Sequence, residues 1–392
     1  MLFMAGVNYK NNSIYQREKL SFTLEKAIRI SKNISELENI SGCIIISTCN
    51  RTEIYLSMEG TQNIADKLLL EYSKVQEFDG VFEKKEGADV VYYIMELACG
   101  IKSQIVGEGQ IVSQINYASE MSRKNGCTDS VLNTLFRIAV SAGKYALTNA
   151  VISNIPISSA YSAVELLNQK YQSLKNKRCV VIGNGKMGQI VQELLIKAGC
   201  EVFVTLRSYK SGNNEIIKSC KAIKYKERYD YIDGADFVVS ATKSPHYTIT
   251  YDKFKVLIEK PDILIDLAVP RDIEPLISEI CECFNIDELG FKTEISSEKI
   301  DMVYDIIGKF ARDFFNWENY KTSLHSIEKL KNIISKRIIK SDLKTKYQED
   351  TSELIGKTVE KTVDMLLGGM KDYVNPEVIN LCEKKIRERS RL

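Results

Sequence analysis

The stretch that most constrains the fold covers residues 177–208 and reads KRCVVIGNGKMGQIVQELLIKAGCEVFVTLRS. An apolar run is followed by a glycine-rich turn, an amphipathic segment and a second apolar run. Strand, turn, helix and strand in this order form a βαβ unit, whose parallel strands need helices over both faces of the sheet. Two more apolar runs follow at 235–244 and 262–270, so the sequence predicts a doubly wound Rossmann-type domain over residues 156–290.

The glycines of this unit, Gly183, Gly185 and Gly188, fit the pattern G-x-G-x-x-G between a buried strand and a helix. In that context the first glycine makes the tight turn, the second lets the backbone approach a pyrophosphate, and the third allows close packing of helix on strand. The amino end of the helix favours the phosphate charge. We therefore predict cofactor contacts from Gly183, Asn184, Gly185, Lys186, Met187 and Gly188.

The second strand of the unit ends in Arg207 and Ser208. An acidic residue at this place would accept a hydrogen bond from the ribose 2′-hydroxyl of NAD. An arginine beside a hydroxyl suits a 2′-phosphate instead. The sequence therefore predicts NADPH as the cofactor.

A second candidate for chemistry is the stretch GCIIISTCNRTEIYL, residues 42–56, in which Cys49 follows an apolar run. A thiol needs help to ionise at neutral pH, and the two histidines, His246 and His325, lie far along the chain. A Cys-His dyad is therefore not expected. A thiol without a base suits an activated acyl ester, and a hydride donor could then reduce the resulting thioester to an aldehyde.

Length and composition set the broad class. A chain of 392 residues predicts two or three domains, and the net charge of +2 argues neither for nor against a nucleic-acid partner. No apolar run approaches the roughly 18 residues of a membrane span, and the first residues lack a signal peptide, so a cytoplasmic protein is expected. The ten cysteines are scattered without a CxxC pair, which predicts reduced thiols and no metal site.

The regions that flank the Rossmann-type domain differ from each other. Residues 1–155 mix strand-like runs with amphipathic helices and predict an α+β domain. Residues 291–392 show helical spacing only, which predicts a long helix and an all-α domain. A long helix with an apolar stripe usually packs against a partner helix, so a homodimer is expected. Basic residues at the polar positions of this region are Lys329, Lys331, Lys336, Arg337 and Lys340.

Several motifs together resemble those of the glutamyl-tRNA reductase family. They are STCNRTEIY, GEGQIVSQI, the glycine turn and DLAVPRDIEP at 266–275, and they match in order and spacing across nearly the whole chain. The resemblance implies a V-shaped dimer of three domains along a long spinal helix. It also implies NADPH-dependent reduction of glutamyl-tRNA to glutamate-1-semialdehyde, the entry to tetrapyrrole synthesis.

The same resemblance implies roles for particular residues. Cys49 would form the glutamyl thioester and release the tRNA. For the basic helical residues two interpretations stay open, a contact with tRNA phosphates and a solvated helix face. An aminomutase would take the aldehyde directly. Contacts to the glutamyl group would come from Thr48, Asn50, Arg51, Ser103, Glu108, Gly109, Gln110 and Gln114.

The chain departs from the family pattern at several positions. Tyr93 stands where the family usually has a histidine, and a phenol can donate a hydrogen bond but is a poor base near neutral pH. Further departures are Glu96, Lys102, Gly109 and residues 145–150. Two alternatives therefore stay open: a paralogue that acts on another tRNA-bound acyl group, and a non-catalytic regulator that binds NADPH and tRNA.

Overall fold

The computed structural model describes residues 1–75, 77–103, 109–150, 159–206, 217, 219–289, 297–340, 351–369 and 374–388. The chain divides into two compact units, Met1–Ile306 and Ile307–Leu392. Two of the predicted boundaries, between 155 and 156 and between 290 and 291, lie outside the described residues. The three-domain division therefore stays a prediction.

The first unit begins with an antiparallel sheet in the order β2-β3-β1-β4. Its strands are β1 (Leu2–Asn8), β2 (Ile40–Ser47), β3 (Arg51–Met58) and β4 (Glu83–Glu86). The accompanying helices are α1 (Ile14–Lys19), α2 (Leu24–Ser35), α3 (Ala65–Ser73), α4 (Ala88–Ala98), α5 (Gln110–Lys124) and α6 (Ser130–Asn149).

Both faces of this sheet are covered, because every residue of β1 and β3 is buried. Alternate side chains such as Phe3, Ile45 and Ile54 share one core with α2 and α3. On β3 the opposite face carries Tyr55, which meets Phe136 of α6 edge to face at 5.2 Å. The predicted α+β architecture is confirmed.

The same unit continues with a six-stranded parallel sheet in the order β10-β9-β8-β5-β6-β7. Its strands are β5 (Arg178–Ile182), β6 (Glu201–Leu206), β7 (Lys221–Lys224), β8 (Phe237–Ser240), β9 (Ile263–Asp266) and β10 (Glu282–Asn285). The helices are α7 (Ser159–Tyr171), α8 (Lys186–Lys197), α9 (Arg228–Ile232) and α10 (Tyr251–Phe254), with 3-10 turns at Tyr225–Glu227, Pro275–Glu279 and Ile286–Glu288.

This strand order is that of a Rossmann fold. Counted along the chain the order is 6-5-4-1-2-3, so the direction of the winding reverses between β5 and β8. One face packs on α7 and α8 through residues such as Ala163 and Val191, and the other packs on Ile232 and Phe254. The predicted doubly wound sheet is confirmed, and its reversal point is where such folds bind their ligands.

The last helices are α11 (Ser297–Lys340), α12 (Thr351–Gly369) and α13 (Pro376–Glu388). The 44 residues of α11 correspond to a length of about 66 Å. Within the second unit, Ile327 of α11 packs on Val374 and Ile379, and Lys331 lies 2.6 Å from Asp364. The predicted long helix and all-α region are confirmed. Among the described helices, none is long and apolar enough to cross a membrane.

Gly143 of α6 gives a test of the packing between helices. A Cβ at this position would lie 2.5 Å from the carbonyl oxygen of Ala98, so Gly143→Ala should destabilise the fold by about 1–3 kcal/mol despite the better helix propensity of alanine. At Gly308 of α11 no described heavy atom lies within 4 Å, so Gly308→Ala should be neutral or stabilise by up to about 1 kcal/mol. Denaturant unfolding followed by circular dichroism measures both, and equal effects would contradict the packing described.

Candidate active site

Cys49 lies at the turn of the hairpin that joins β2 to β3. Pairing of Ser47 with Thr52 closes the ladder, and the backbone N–H of Thr48 donates to the carbonyl of Arg51 at 2.8 Å. We call residues 48–51 the thiol turn. The isoleucines before it are buried, which fixes the strand in the sheet and leaves the half-buried thiol at its end.

Backbone contacts hold the thiol turn in place. The carbonyl of Asn50 accepts from the N–H of Tyr9 at 2.9 Å, and the N–H of Asn50 donates to Thr48 Oγ1 at 3.3 Å. Arg17 Nε donates to the carbonyl of Cys49 at 3.3 Å. The side-chain oxygen of Asn50 is buried and has no hydrogen-bond partner among the described residues. A buried acceptor without a donor is costly, so this atom is suited to a donor on a bound molecule.

The Arg51 side chain lies in a buried polar network. Its Nη1 is 2.8 Å from Glu53 Oε1 and 3.3 Å from the hydroxyl of Tyr93, and its Nη2 donates to the carbonyl of Lys102. Glu53 also accepts from the hydroxyls of Tyr93 and Tyr55, each at 2.7 Å. Only 2% of Arg51 and 1% of Glu53 are exposed, so the two opposite charges satisfy each other inside the protein.

Two phenols in this network stay protonated. Burial raises the pKa of Tyr93 far above its ordinary value, and the nearby Glu53 carboxylate raises it further. The same two causes raise the pKa of Tyr55. For Arg51, burial is the largest cause and lowers the pKa, but the charge and hydrogen bond of Glu53 together with the nearby Tyr93 and Tyr55 outweigh it, so the net shift is upward. Tyr93 is therefore a hydrogen-bond donor here and not a base, as the sequence led us to expect of a phenol.

Other predicted substrate residues lie near this network or on α5. Ser103 is buried, and its carbonyl accepts from the hydroxyl of Tyr9 at 3.1 Å. Gly109 precedes α5, Gln110 opens it, and Gln114 is exposed on its surface. Glu108 lies outside the described residues. Their contacts to a substrate stay predictions.

Two departures from the family pattern neutralise each other. Lys102 Nζ lies 3.3 Å from Glu96 Oε2 and 5.7 Å from the ring centre of Tyr93. Lys102 therefore pairs with a carboxylate on α4. The ammonium group of Lys102 is therefore not an isolated cation beside the network.

The glycine turn has the geometry predicted for a nucleotide site. Gly183 adopts a φ of +108°, and a Cβ on it would lie 2.6 Å from the carbonyl oxygen of Ala241. A Cβ on Gly188 would lie 2.1 Å from the carbonyl oxygen of Gly183. Helix α8 begins at Lys186, and no side chain caps its amino end, so its first N–H groups are available to an anion. The residues present therefore fit a dinucleotide.

Sequence reasoning missed several residues that shape this turn. Buried Gln192 donates to Asn184 Oδ1 at 3.1 Å, and the N–H of Gly183 donates to Thr205 Oγ1 at 3.1 Å. Neither residue stands out in the sequence, since a glutamine on a helix and a threonine in a strand are ordinary. Arg207 and Ser208, predicted to read the 2′-phosphate, lie outside the described residues.

Two buried carboxylates beside the reversal point were also missed. Asp272 accepts from Ser240 Oγ at 2.7 Å and from the N–H of Thr242 at 2.8 Å, which holds the loop after β8. Asp266 accepts from the N–H groups of Asp272 and Ile273, each at 2.8 Å. Burial raises the pKa of Asp266 to about 8, and the nearby Asp272 carboxylate contributes. The sequence did contain one signal for Asp266. This acid directly follows the apolar run at 263–265 and is the first residue of DLAVPRDIEP.

A cavity of about 360 Å³ opens close to the thiol turn. It is bounded by the polar segment after β1 and by one acid from the end of the parallel sheet. The lining residues are Tyr9, Lys10, Asn11, Asn12, Ser13 and Asp287.

The parallel sheet with its glycine turn places the protein among the nicotinamide-dependent oxidoreductases, and the family model described as Shikimate / quinate 5-dehydrogenase matches residues 165–291. The family model described as Glutamyl-tRNAGlu reductase, N-terminal domain, matches residues 5–150. A glutamyl-tRNA reductase of Acetivibrio thermocellus is 38% identical over 330 residues, which are 82% of this chain and 98% of that protein. The chain belongs to the glutamyl-tRNA reductase family.

Of two further relatives, one is a longer protein and the other is a solved structure with lower sequence identity. The probable multifunctional siroheme biosynthesis protein HemA of Ruminiclostridium josui is 36% identical over 327 residues, covering 82% of this chain and 63% of that longer protein. The solved structure of glutamyl-tRNA reductase from Methanopyrus kandleri is 25% identical, with a TM-score of 0.48 over 100% of this chain and 99% of that one. The family resemblance drawn from the motifs is confirmed by the family models and the curated relatives.

Removing Glu53 should expose the energetic role of the buried network. Glu53→Ala leaves the Arg51 guanidinium buried without its carboxylate and should lower the free energy of unfolding by about 3–5 kcal/mol. The control is Glu96→Ala, which breaks the more exposed pair with Lys102 and should cost about 0.2–1 kcal/mol. Denaturant unfolding of both variants makes the comparison. A similar small loss in both would show that the Arg51–Glu53 pair contributes little.

Proposed function

We propose that the protein reduces glutamyl-tRNA to glutamate-1-semialdehyde with NADPH, through a thioester on Cys49, as the first step of tetrapyrrole synthesis. The observation that carries the proposal is the half-buried thiol at a hairpin turn, within the region matched by the glutamyl-tRNA reductase N-terminal model. A nucleotide-binding turn in the same compact unit supports a reductive step.

The proposed reaction has two chemical steps, transfer of the acyl group to the thiol and reduction of the thioester. The Cys49 sulfur attacks the ester carbonyl, the bond to the tRNA 3′ oxygen breaks, and that oxygen takes up a proton as the tRNA leaves. NADPH, when bound at the glycine turn, supplies the hydride that the thioester carbon accepts. The carbon–sulfur bond then breaks, the aldehyde is released, and the thiol is regenerated with a proton from water. No base beside the thiol is required because an aminoacyl ester is already activated.

Substrate orientation is assigned to the residues around the thiol turn. The unpartnered Asn50 Oδ1 can accept from the ammonium group of an aminoacyl substrate, which would satisfy a buried acceptor. The network of Arg51 with Glu53 and Tyr93 holds the turn in place. We keep Thr48, Asn50, Arg51, Ser103, Glu108, Gly109, Gln110 and Gln114 as the proposed substrate contacts.

The proposal also covers the partners and the location of the protein. A homodimer would pair the helical regions, and an aminomutase would receive the reactive aldehyde. Among the basic residues proposed for tRNA, Lys329 is exposed, whereas Lys331 is paired with Asp364 and is less available to a phosphate. The side chains of Lys336, Arg337 and Lys340 lie outside the described residues. We propose a cytoplasmic location, where charged tRNA is found.

Cys49→Ser should abolish aldehyde formation while glutamyl-tRNA and NADPH still bind, because the weaker hydroxyl nucleophile replaces the thiol. The matched control is Cys382→Ser, at an exposed cysteine of α13, which should keep wild-type turnover. Purified enzyme is given NADPH and a panel of charged tRNAs, and aldehyde is measured. Full activity of Cys49→Ser would overturn the thioester. Turnover of a different aminoacyl-tRNA would indicate a paralogue, and turnover of none would favour the regulator.

Arg207→Ala should weaken NADPH binding about tenfold or more and leave NADH binding nearly unchanged, because a charged hydrogen bond to a 2′-phosphate contributes roughly 1.5–3 kcal/mol. Lys197→Ala is the control, since this lysine is exposed at the far end of α8. Fluorescence titration with each nucleotide measures the two dissociation constants. An equal loss for both nucleotides would show that Arg207 does not recognise the phosphate.

A further inference from the structure

The short helix α1 carries a buried arginine that contacts both halves of the proposed reaction centre. Arg17 is 2% exposed, and its Nε donates to the carbonyl of Cys49 at 3.3 Å. Its Nη1 donates to the carbonyl of Asn12 at 2.9 Å. The same guanidinium forms a two-pronged ion pair with Asp287, at 2.8 and 3.1 Å. One side chain therefore links the thiol turn to the 3-10 turn that follows β10 of the nucleotide sheet.

The next residue of α1 makes a second ion pair with the nucleotide sheet. Glu18 accepts from Arg271 Nε and Nη2, each at 2.9 Å, and also from the backbone N–H of Arg271. Both side chains are less than one fifth exposed, at 14% for Glu18 and 17% for Arg271. We call Arg17–Asp287 and Glu18–Arg271 the bridging ion pairs.

The far end of the Glu18–Arg271 pair lies on a segment that shapes the nucleotide site, whereas Asp287 follows the edge strand β10 of the same sheet. Arg271 directly precedes Asp272, whose carboxylate holds Ser240 and Thr242 in the loop after β8. That loop packs against Gly183, since the Ala241 carbonyl is the atom a Cβ there would meet. Helix α1 is thus connected to the thiol turn on one side and to the cofactor edge of the sheet on the other.

We propose that Arg17, Glu18, Arg271 and Asp287 are positioning residues that set the distance between the thiol and the nicotinamide site. The inference rests on the proposed function. Hydride transfer requires the reacting atoms to be aligned at about 3–3.5 Å, and a displacement of 1 Å can cost on the order of 100-fold in rate. The bidentate geometry of both pairs restricts rotation as well as separation, which a single contact would not do.

The two half-reactions respond differently to these residues. Transfer of the acyl group to Cys49 needs only the thiol turn and its substrate contacts. Reduction of the thioester also requires that the cofactor edge of the sheet is correctly positioned relative to the thiol. Loss of a bridging ion pair on the sheet side should therefore slow reduction much more than acylation. Loss of Arg17 should slow both, because the carbonyl of Cys49 also loses its donor.

The test separates the half-reactions in the full-length protein. Asp287→Asn and Arg271→Gln are given radiolabelled glutamyl-tRNA without NADPH, and label on the protein reports acylation. NADPH is then added, and single-turnover aldehyde formation reports reduction. We expect reduction to fall on the order of 100-fold while acylation stays near the wild-type rate and NADPH titration is unchanged. Arg17→Lys, which keeps the charge but loses the fork, should lower both rates.

Two controls distinguish positioning from general stability. Lys170→Gln removes a more exposed ion pair with Glu282 of β10 and should leave both rates intact. The double variant Glu18→Arg with Arg271→Glu reverses the second bridging ion pair and should recover much of the reduction rate lost in each single variant. Thermal melting of every variant shows whether it is folded.

The following results of these experiments would contradict the proposal or one part of it. If folded Asp287→Asn and Arg271→Gln reduce the thioester at the wild-type rate, or if acylation and reduction fall together in both, the positioning role is wrong. If reversal of the Glu18–Arg271 pair recovers nothing, that pair does not act through its charges. If the wild-type protein itself takes no label on Cys49, the proposed function fails, and the positioning role that rests on it fails with it; this result is distinct from a defect confined to the variants.

Discussion

The buried pair of Arg51 and Glu53 is the interaction on which the reaction centre depends. A guanidinium and a carboxylate inside a protein are tolerated only when both are fully hydrogen-bonded, and here Tyr93, Tyr55 and the carbonyl of Lys102 complete the set. Because these partners come from β3, from α4 and from the segment after it, the network connects three parts of the α+β region next to the thiol turn. The position of Cys49 is therefore set by this network as well as by contacts of its own side chain.

Departures from the family pattern take on a different meaning in the folded protein. Read along the chain, Tyr93 and Lys102 suggested a changed substrate or a lost activity. In three dimensions Lys102 pairs with Glu96, and Tyr93 donates to Glu53 within the central network. Lys102 and Tyr93 therefore both have polar partners within the fold.

The motif DLAVPRDIEP also acquires a physical role. Its two buried acids, Asp266 and Asp272, bind backbone N–H groups and hydroxyls beside the reversal point of the sheet, and its arginine reaches the carboxylate of Glu18 on α1. A stretch that the sequence marked only as typical of the family is thus the connection between the cofactor edge and the domain that carries the thiol. The tight glycine turn and this acidic loop support each other across the reversal point.

The sequence by itself determined the parallel sheet, the glycine turn, the α+β region, the long helix and the place of Cys49 at a strand end. These follow from local patterns, since strand and helix periodicity and the steric needs of glycine act over a few residues. Only the tertiary structure decided that Arg51 is buried against Glu53, that Glu96 neutralises Lys102, and that α1 reaches the nucleotide sheet. Such pairings join residues up to 270 positions apart, and no local pattern specifies which charge meets which when the chain closes on itself.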